Sequence, residues 1–109
     1  MLKSDYNKSE KVLTCAFTGH LDTNSCIILN NEVNAAIDII KSAENATTLS
    51  GTTIIFDVSG VSYIASSFIR ICVNMARQVP KGNFSMINCD PFIKKTFIIA
   101  GLDELLKVN

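Results

Sequence analysis

The chain has 109 residues, with ten lysines and arginines against ten aspartates and glutamates. That length suits one domain and is too short for two, and the 48% apolar and 18% charged fractions exclude a disordered chain. Zero net charge removes the electrostatic footprint of a nucleic-acid binder, and no apolar run reaches the roughly 18–20 residues of a membrane span.

The start, Met1-Leu2-Lys3-Ser4-Asp5, has no apolar signal-peptide core, so a cytoplasmic domain is expected. Leu2 to Tyr6 is a weak strand candidate, and Asn7 to Lys11 a polar turn. Val12 to Thr18 alternates, with Leu13, Cys15 and Phe17 on one side and Thr14, Ala16 and Thr18 on the other. That is a strand with one buried face, ended by Gly19-His20-Leu21. Asp22 suits a helix N-cap, because its carboxylate can accept a free first-turn N–H. From Thr23 to about Ala43 the apolar residues recur at three- and four-residue steps, which predicts a long amphipathic helix.

Glu44 to Gly51 reads as a loop. Thr52 to Val58 is apolar or β-branched with little alternation, as expected of a strand covered on both sides. A turn then leads to a second helix over Ser66 to Val79, stopped by Pro80-Lys81-Gly82. Asn83 to Asn88 is a short strand. Asp90-Pro91 opens a third helix with a cap followed by proline at the first helical position, and Ala100-Gly101 closes it. Leu105 to Val108 is a candidate last strand. The order β-β-α-β-α-β-α-β predicts an α/β domain over residues 1–109 with one mixed sheet.

The zero net charge is unevenly spread. Residues 1–60 carry four lysines against seven acids, and residues 61–109 carry six basic residues against three acids. Between Asp57 and Asp90 lie Arg70, Arg77 and Lys81 but no acid, so this stretch either is an ordinary solvated face or accommodates an anion. Cys15, Cys26, Cys72 and Cys89 lack the spacing of a zinc site. Cys15 and Cys72 fall in apolar periodic segments and read as small buried hydrophobes.

Little here points to catalysis. The one histidine, His20, sits at a strand end and reads as a surface residue. No phosphate-cradling glycine loop is present, and neither a metal nor a cofactor is expected. Asp22 and Asp57 could meet at the ends of neighbouring strands, where α/β sheets bind ligands. Two carboxylates without a nucleophile or metal set make a weak enzyme. Phe56 to Arg70 is more specific, because it runs from a strand to a helix start marked by Ser66-Ser67. A serine there commonly caps the helix. The same position favours a phosphoryl group, since free N–H donors and the positive end of the helix dipole stabilise added negative charge.

Taken in order, four segments resemble the STAS domain of bacterial anti-sigma factor antagonists. Gly19-His20-Leu21-Asp22 is similar to that family's G-x-L-D. Ile54 to Val61 is similar to its apolar strand followed by D-[LV]-S-x-[VL]. Ser66-Ser67 falls on its paired serines, and Asp90-Pro91 through Ala100-Gly101-Leu102-Asp103 is similar to its late helix and A-G-L segment. The resemblance implies a non-enzymatic partner-switching protein. Such an antagonist binds a serine-kinase anti-sigma factor, is released when that kinase phosphorylates it, and is reset by a serine phosphatase. It implies Ser66 as the acceptor, with Ser67 as the alternate. The expected partner-binding set is Asp22, Asp57, Ser66, Ser67, Phe68 and Arg70.

Two positions depart from the family pattern: Ala65 stands where Asp is common before the serine pair, and Phe68 where Gly is common after it. Phe68 either packs in the core or is an exposed aromatic anchor. Arg70, at i+4 from Ser66, either is solvated or reaches a phosphate there. The departures favour a second reading, a STAS scaffold or sensor subunit that assembles with other STAS proteins and is not phosphorylated. The chain stops at Asn109, soon after the last expected strand, so the family's terminal helix is expected to be absent.

Overall fold

The computed structural model describes residues 1–109. Its elements are β1 (Leu2–Asn7), β2 (Val12–Leu21), α1 (Thr23–Ala43), β3 (Thr53–Ile64), α2 (Ser66–Ala76), β4 (Phe84–Ile87) and α3 (Pro91–Ile99). The four strands form one mixed sheet in the order β1-β2-β3-β4. β1 runs antiparallel to β2, while β2, β3 and β4 are parallel.

That strand order dictates where the helices go. Each parallel crossover is right-handed, and the crossovers β2-α1-β3 and β3-α2-β4 step across the sheet in the same direction. Both helices therefore pack on the same face. The burial rows agree: Leu13, Cys15, Phe17, Ile54, Phe56, Val58, Phe84 and Met86 are buried in one core, whereas Thr14, Ala16, Ile55, Ser85 and Ile87 on the opposite face are half-buried. The expectation that β3 is covered on both sides is thus corrected. Ile54-Ile55-Phe56 breaks apolar alternation with a single isoleucine on the open face.

α1 has the bounds expected from its periodicity, and Cys26, Leu29, Val33, Ile37 and Ile40 face the core. The Ser25 N–H donates to Asp22 Oδ1 at 2.8 Å, so Asp22 is the cap. Asp90 caps α3 in the same way through the Phe92 N–H at 2.8 Å. Cys15 and Cys72 are fully buried, and burial pushes the Cys15 thiol up to about 12, as expected of a small apolar core residue.

Four elements differ from expectation, the first being β2, which runs through the expected stop at Gly19-His20 to Leu21. β3 does not turn after Val58 but continues to Ile64, because β2 continues beside it to Leu21 and supplies ladder partners. Register shifts at Ala16/Thr18 and Gly19/His20 absorb the kinks. Gly60 permits the close approach: a Cβ there would lie 2.8 Å from Thr18 Cγ2. α2 ends at Ala76, three residues short of Val79. The strand expected over 105–108 is instead a series of turns closed by one parallel bridge between Val108 and Met86.

An aromatic core locks α2 to the sheet. Phe68 is completely buried, with its ring edge-on to Phe17 at 5.1 Å between centroids. Phe17 in turn packs edge-on to Phe56 at 4.7 Å, and Phe56 to Phe84 at 5.0 Å. The core reading of Phe68 holds, and the exposed-anchor reading is corrected, since no part of the ring reaches the surface. Truncating such a ring removes its transfer energy and leaves a cavity. Phe68→Ala is predicted to lower stability by about 3–5 kcal/mol, measured as a fall in urea midpoint with an unchanged m-value. An unshifted midpoint would refute the packing role.

Candidate functional site

The site is the end of the sheet where β2 and β3 outrun their neighbours. β4 finishes at Ile87, opposite Asp57, and β1 begins at Leu2, opposite Phe17. Beyond those rows β2 and β3 continue alone as a two-stranded tongue to Leu21 and Ile64. Each strand then feeds a helix after one residue, Asp22 before α1 and Ala65 before α2. The Ala65 N–H donates to the Leu21 carbonyl at 2.8 Å, which holds the start of α2 against the end of β2.

The two helix starts are chemically unlike. α1 has a carboxylate cap. α2 is capped by Ala65, whose side chain supplies no acceptor, and its first turn holds no acid. The expectation of a serine cap is therefore corrected: Ser66 is the first helical residue. Helix geometry then sets directions. With Phe68 inward, Ser66 and Arg70 project on the opposite side of α2, and both are exposed. Ser67 lies between. Its Oγ is buried without a hydrogen-bond partner, at the wall of a groove between α1 and α2 that Arg70, Asn30 and Asn74 also line.

Asp22 and Asp57 are not brought together. Asp57 pairs with Ala16, seven residues along β3 from the Ile64–Leu21 row, which is roughly 20 Å at ~3.3 Å per residue. Asp57 instead organises the place where β4 ends. Its Oδ1 accepts from the Ser59 N–H at 3.0 Å and from Asn88 Nδ2 at 3.2 Å, with Asn88 in the left-handed region at φ 60°. The two-carboxylate enzyme therefore has no common site.

The feature that sequence reasoning missed is a stacked pair on the tongue. His20 and Tyr63 are cross-strand neighbours, their rings 4.3 Å apart and 15° from parallel. Both are exposed, Tyr63 by 46%. The pair presents an aromatic surface beside the start of α2. The signal was the strand-favouring pair Val61 and Tyr63, hidden because Ser59-Gly60 reads as a turn.

Both aspartates are held below the usual carboxylate range. For Asp22 the main cause is the Ser25 N–H, and for Asp57 it is the Ser59 N–H, opposed by partial burial and aided by Asn88. A depressed folded-state value stabilises the fold above the unfolded aspartate value of about 3.9, and the contribution fades as pH falls through the folded values. Denaturant melts are predicted to be flat from neutral pH to about 5 and to weaken below about 4. Asp57→Asn should blunt that acid limb, and an identical limb in the variant would refute it. The orphaned Ser67 hydroxyl leads to a second outcome. Ser67→Ala removes an unpaired buried group and is predicted to gain about 1 kcal/mol, read as a higher melting temperature, whereas the exposed Ser66→Ala should change stability by less than about 0.5 kcal/mol.

No family model matches the sequence, and no curated protein matches it significantly. Solved structures do. The fold is similar to that of an anti-sigma factor antagonist from Mycobacterium paratuberculosis, at a TM-score of 0.74 and 16% identity over 99% of this chain and 85% of that one. It is also similar to the unphosphorylated anti-sigma factor antagonist SpoIIAA, at a TM-score of 0.68 and 16% identity over 100% of this chain and 88% of that one. The element order, the mixed sheet and these likenesses together show a STAS-like fold.

Proposed function

We propose that this chain is a non-enzymatic, cytoplasmic anti-sigma factor antagonist. In this reading it binds a serine-kinase anti-sigma factor and is released when Ser66 is phosphorylated, with a serine phosphatase resetting it. The carrying observation is the exposure of Ser66 at the first position of an uncapped helix, in a fold similar to two antagonists. Ser67 is the weaker acceptor, because its hydroxyl is buried. The partner surface is the face formed by the tongue and the start of α2: His20, Tyr63, Ser66 and Arg70, with Asp22 capping α1 beside it and Asp57 at the base of the tongue.

A phosphoryl group on Ser66 would add about −1.5 to −2 charges to a chain with zero formal net charge. The first-turn N–H groups of α2 and the dipole favour negative charge there. Arg70, at i+4 on the same exposed side, is positioned to pair with it. The scaffold reading keeps one observation in its favour: Ala65 leaves this helix start without the acid that the resemblance leads one to expect.

Phosphorylation of the purified chain by candidate serine-kinase anti-sigma factors from the source organism tests the proposal. Wild type and Ser67→Ala should incorporate phosphate, and Ser66→Ala should not. Ser66→Asp should weaken kinase binding about tenfold or more, an effect of roughly 1.4 kcal/mol. Normal phosphorylation of Ser66→Ala would overturn the acceptor assignment. Recovery of other STAS proteins in place of a kinase would establish the scaffold reading. For Arg70, phosphorylation should raise the melting temperature more in wild type than in Arg70→Ala, and equal shifts would remove it from the account.

A further inference from the structure

The two edges of the sheet are treated differently. The outer edge of β4 is covered by the end of the chain: the Met86 N–H donates to the Lys107 carbonyl at 3.2 Å, and the Asn109 N–H donates to the Met86 carbonyl at 2.9 Å. The outer edge of β1 carries nothing. Its hydrogen-bond phase follows from one bond, in which the Thr18 N–H donates to the Met1 carbonyl at 2.8 Å. With Leu2 opposite Phe17 and an unshifted register, antiparallel alternation turns the Met1 carbonyl and the amides of Lys3, Asp5 and Asn7 toward β2. Leu2, Ser4 and Tyr6 turn theirs outward. Such an edge is a template for another strand, and β1 has neither proline nor bulge to blunt it.

We infer that β1 is a self-association surface. Two copies pair β1 to β1, antiparallel, about a two-fold axis at Ser4, and this joins two four-stranded sheets into one. The strand is complementary to its own reverse. With the axis at Ser4, Leu2 lies opposite Tyr6 of the partner subunit and Ser4 opposite its own copy, so every outward amide meets an outward amide. On the open face Lys3 lies opposite Asp5 of the partner subunit, and Asp5 opposite the partner's Lys3. Moving the axis by one residue keeps the amides matched but puts Lys3 opposite Lys3 or Asp5 opposite Asp5. Like charges directly opposite are destabilising, so charge selects one register of the three. On the helix-covered face, Leu2 and Tyr6 are half-buried residues packed against the core, and pairing completes their burial.

The overlap is only five residues long, so association is concentration-dependent rather than obligate. Sedimentation equilibrium from ~10 µM to ~1 mM should show a monomer–dimer equilibrium for wild type. Lys3→Asp alone and Asp5→Lys alone each place like charges across the axis, and each should lower the association constant about tenfold or more. An equimolar mixture of the two variants sets opposite charges at both positions and should restore association. Ser4→Pro removes an outward N–H without touching the β1–β2 ladder and should leave a folded monomer. Hydrogen exchange at the Leu2, Ser4 and Tyr6 amides should slow as wild-type concentration rises. A wild type that stays monomeric at ~1 mM would overturn the inference. So would a dimer whose strength ignores both charge reversals, or one that leaves those three amides unprotected.

Discussion

The burial of the Phe68 ring against β2 and β3 is the constraint on which the geometry of the candidate site depends. Phe68 sits in the first turn of α2 and is completely enclosed against Phe17 and Phe56. A helix has one rotational freedom about its axis, and this ring removes it. Once Phe68 points inward, the ~100° step per residue puts Ser66 and Arg70 on the solvent side and Ser67 at the flank. The Ala65–Leu21 backbone bond fixes the remaining coordinate, how far α2 slides along the sheet. The exposure of one serine and the burial of its neighbour's hydroxyl follow from that ring's packing together with this one backbone bond.

The sheet's asymmetry has a similarly simple origin. Consecutive parallel strands joined by right-handed crossovers force the helices onto one face. The opposite face is left half-buried, with the short or polar Thr14, Ala16, Asp57 and Ser85 beside two isoleucines, Ile55 and Ile87. One edge is closed by the chain's last residues, and the other is a six-residue strand carrying one lysine and one aspartate two positions apart. The spacing matters because cross-strand pairing about a two-fold axis maps each residue onto its mirror position in sequence. A Lys–Ser–Asp run centred on the axis satisfies its own charges, which neither a Lys–Ser–Lys nor an Asp–Ser–Asp run would do.

Where local chemistry decides, the sequence was a good guide. The bounds of α1 followed from apolar periodicity plus an aspartate cap, and the start of α3 from Asp90-Pro91, since each signal acts within one helical turn. The ordered motifs carried the fold class. Features decided by a lateral partner were not legible. Ser59-Gly60 has turn composition, yet it lies within β3 because β2 runs alongside and Gly60 admits Thr18. That misreading hid the His20–Tyr63 stack, which exists only because the two strands are in register there. It also made Asp22 and Asp57 seem close, since a strand ending at Val58 would bring both to one sheet end. Leu105 to Val108 has strand composition but only one bridge, because it meets β4 at Met86 alone. For Phe68, composition admitted two readings, and only its packing against Phe17 and Phe56 chooses between them.

The proposed switch and the proposed self-association use different parts of the fold, and topology explains why they do not compete. α2 connects β3 to β4, so its exposed face belongs to the half of the sheet that is farther from β1. The tongue that carries His20 and Tyr63 extends past the row where β1 begins, so a second copy paired along β1 would run beside β1 and not over the tongue. Charge separates the two in the same way. Residues 58–89 contain no acid, and Lys3 and Asp5 cancel across the dimer axis. A phosphoryl group on Ser66 would therefore act on the potential around α2 while the β1 ladder stays electrostatically balanced. A pair of copies would then present two partner faces, each able to change state without breaking the pair.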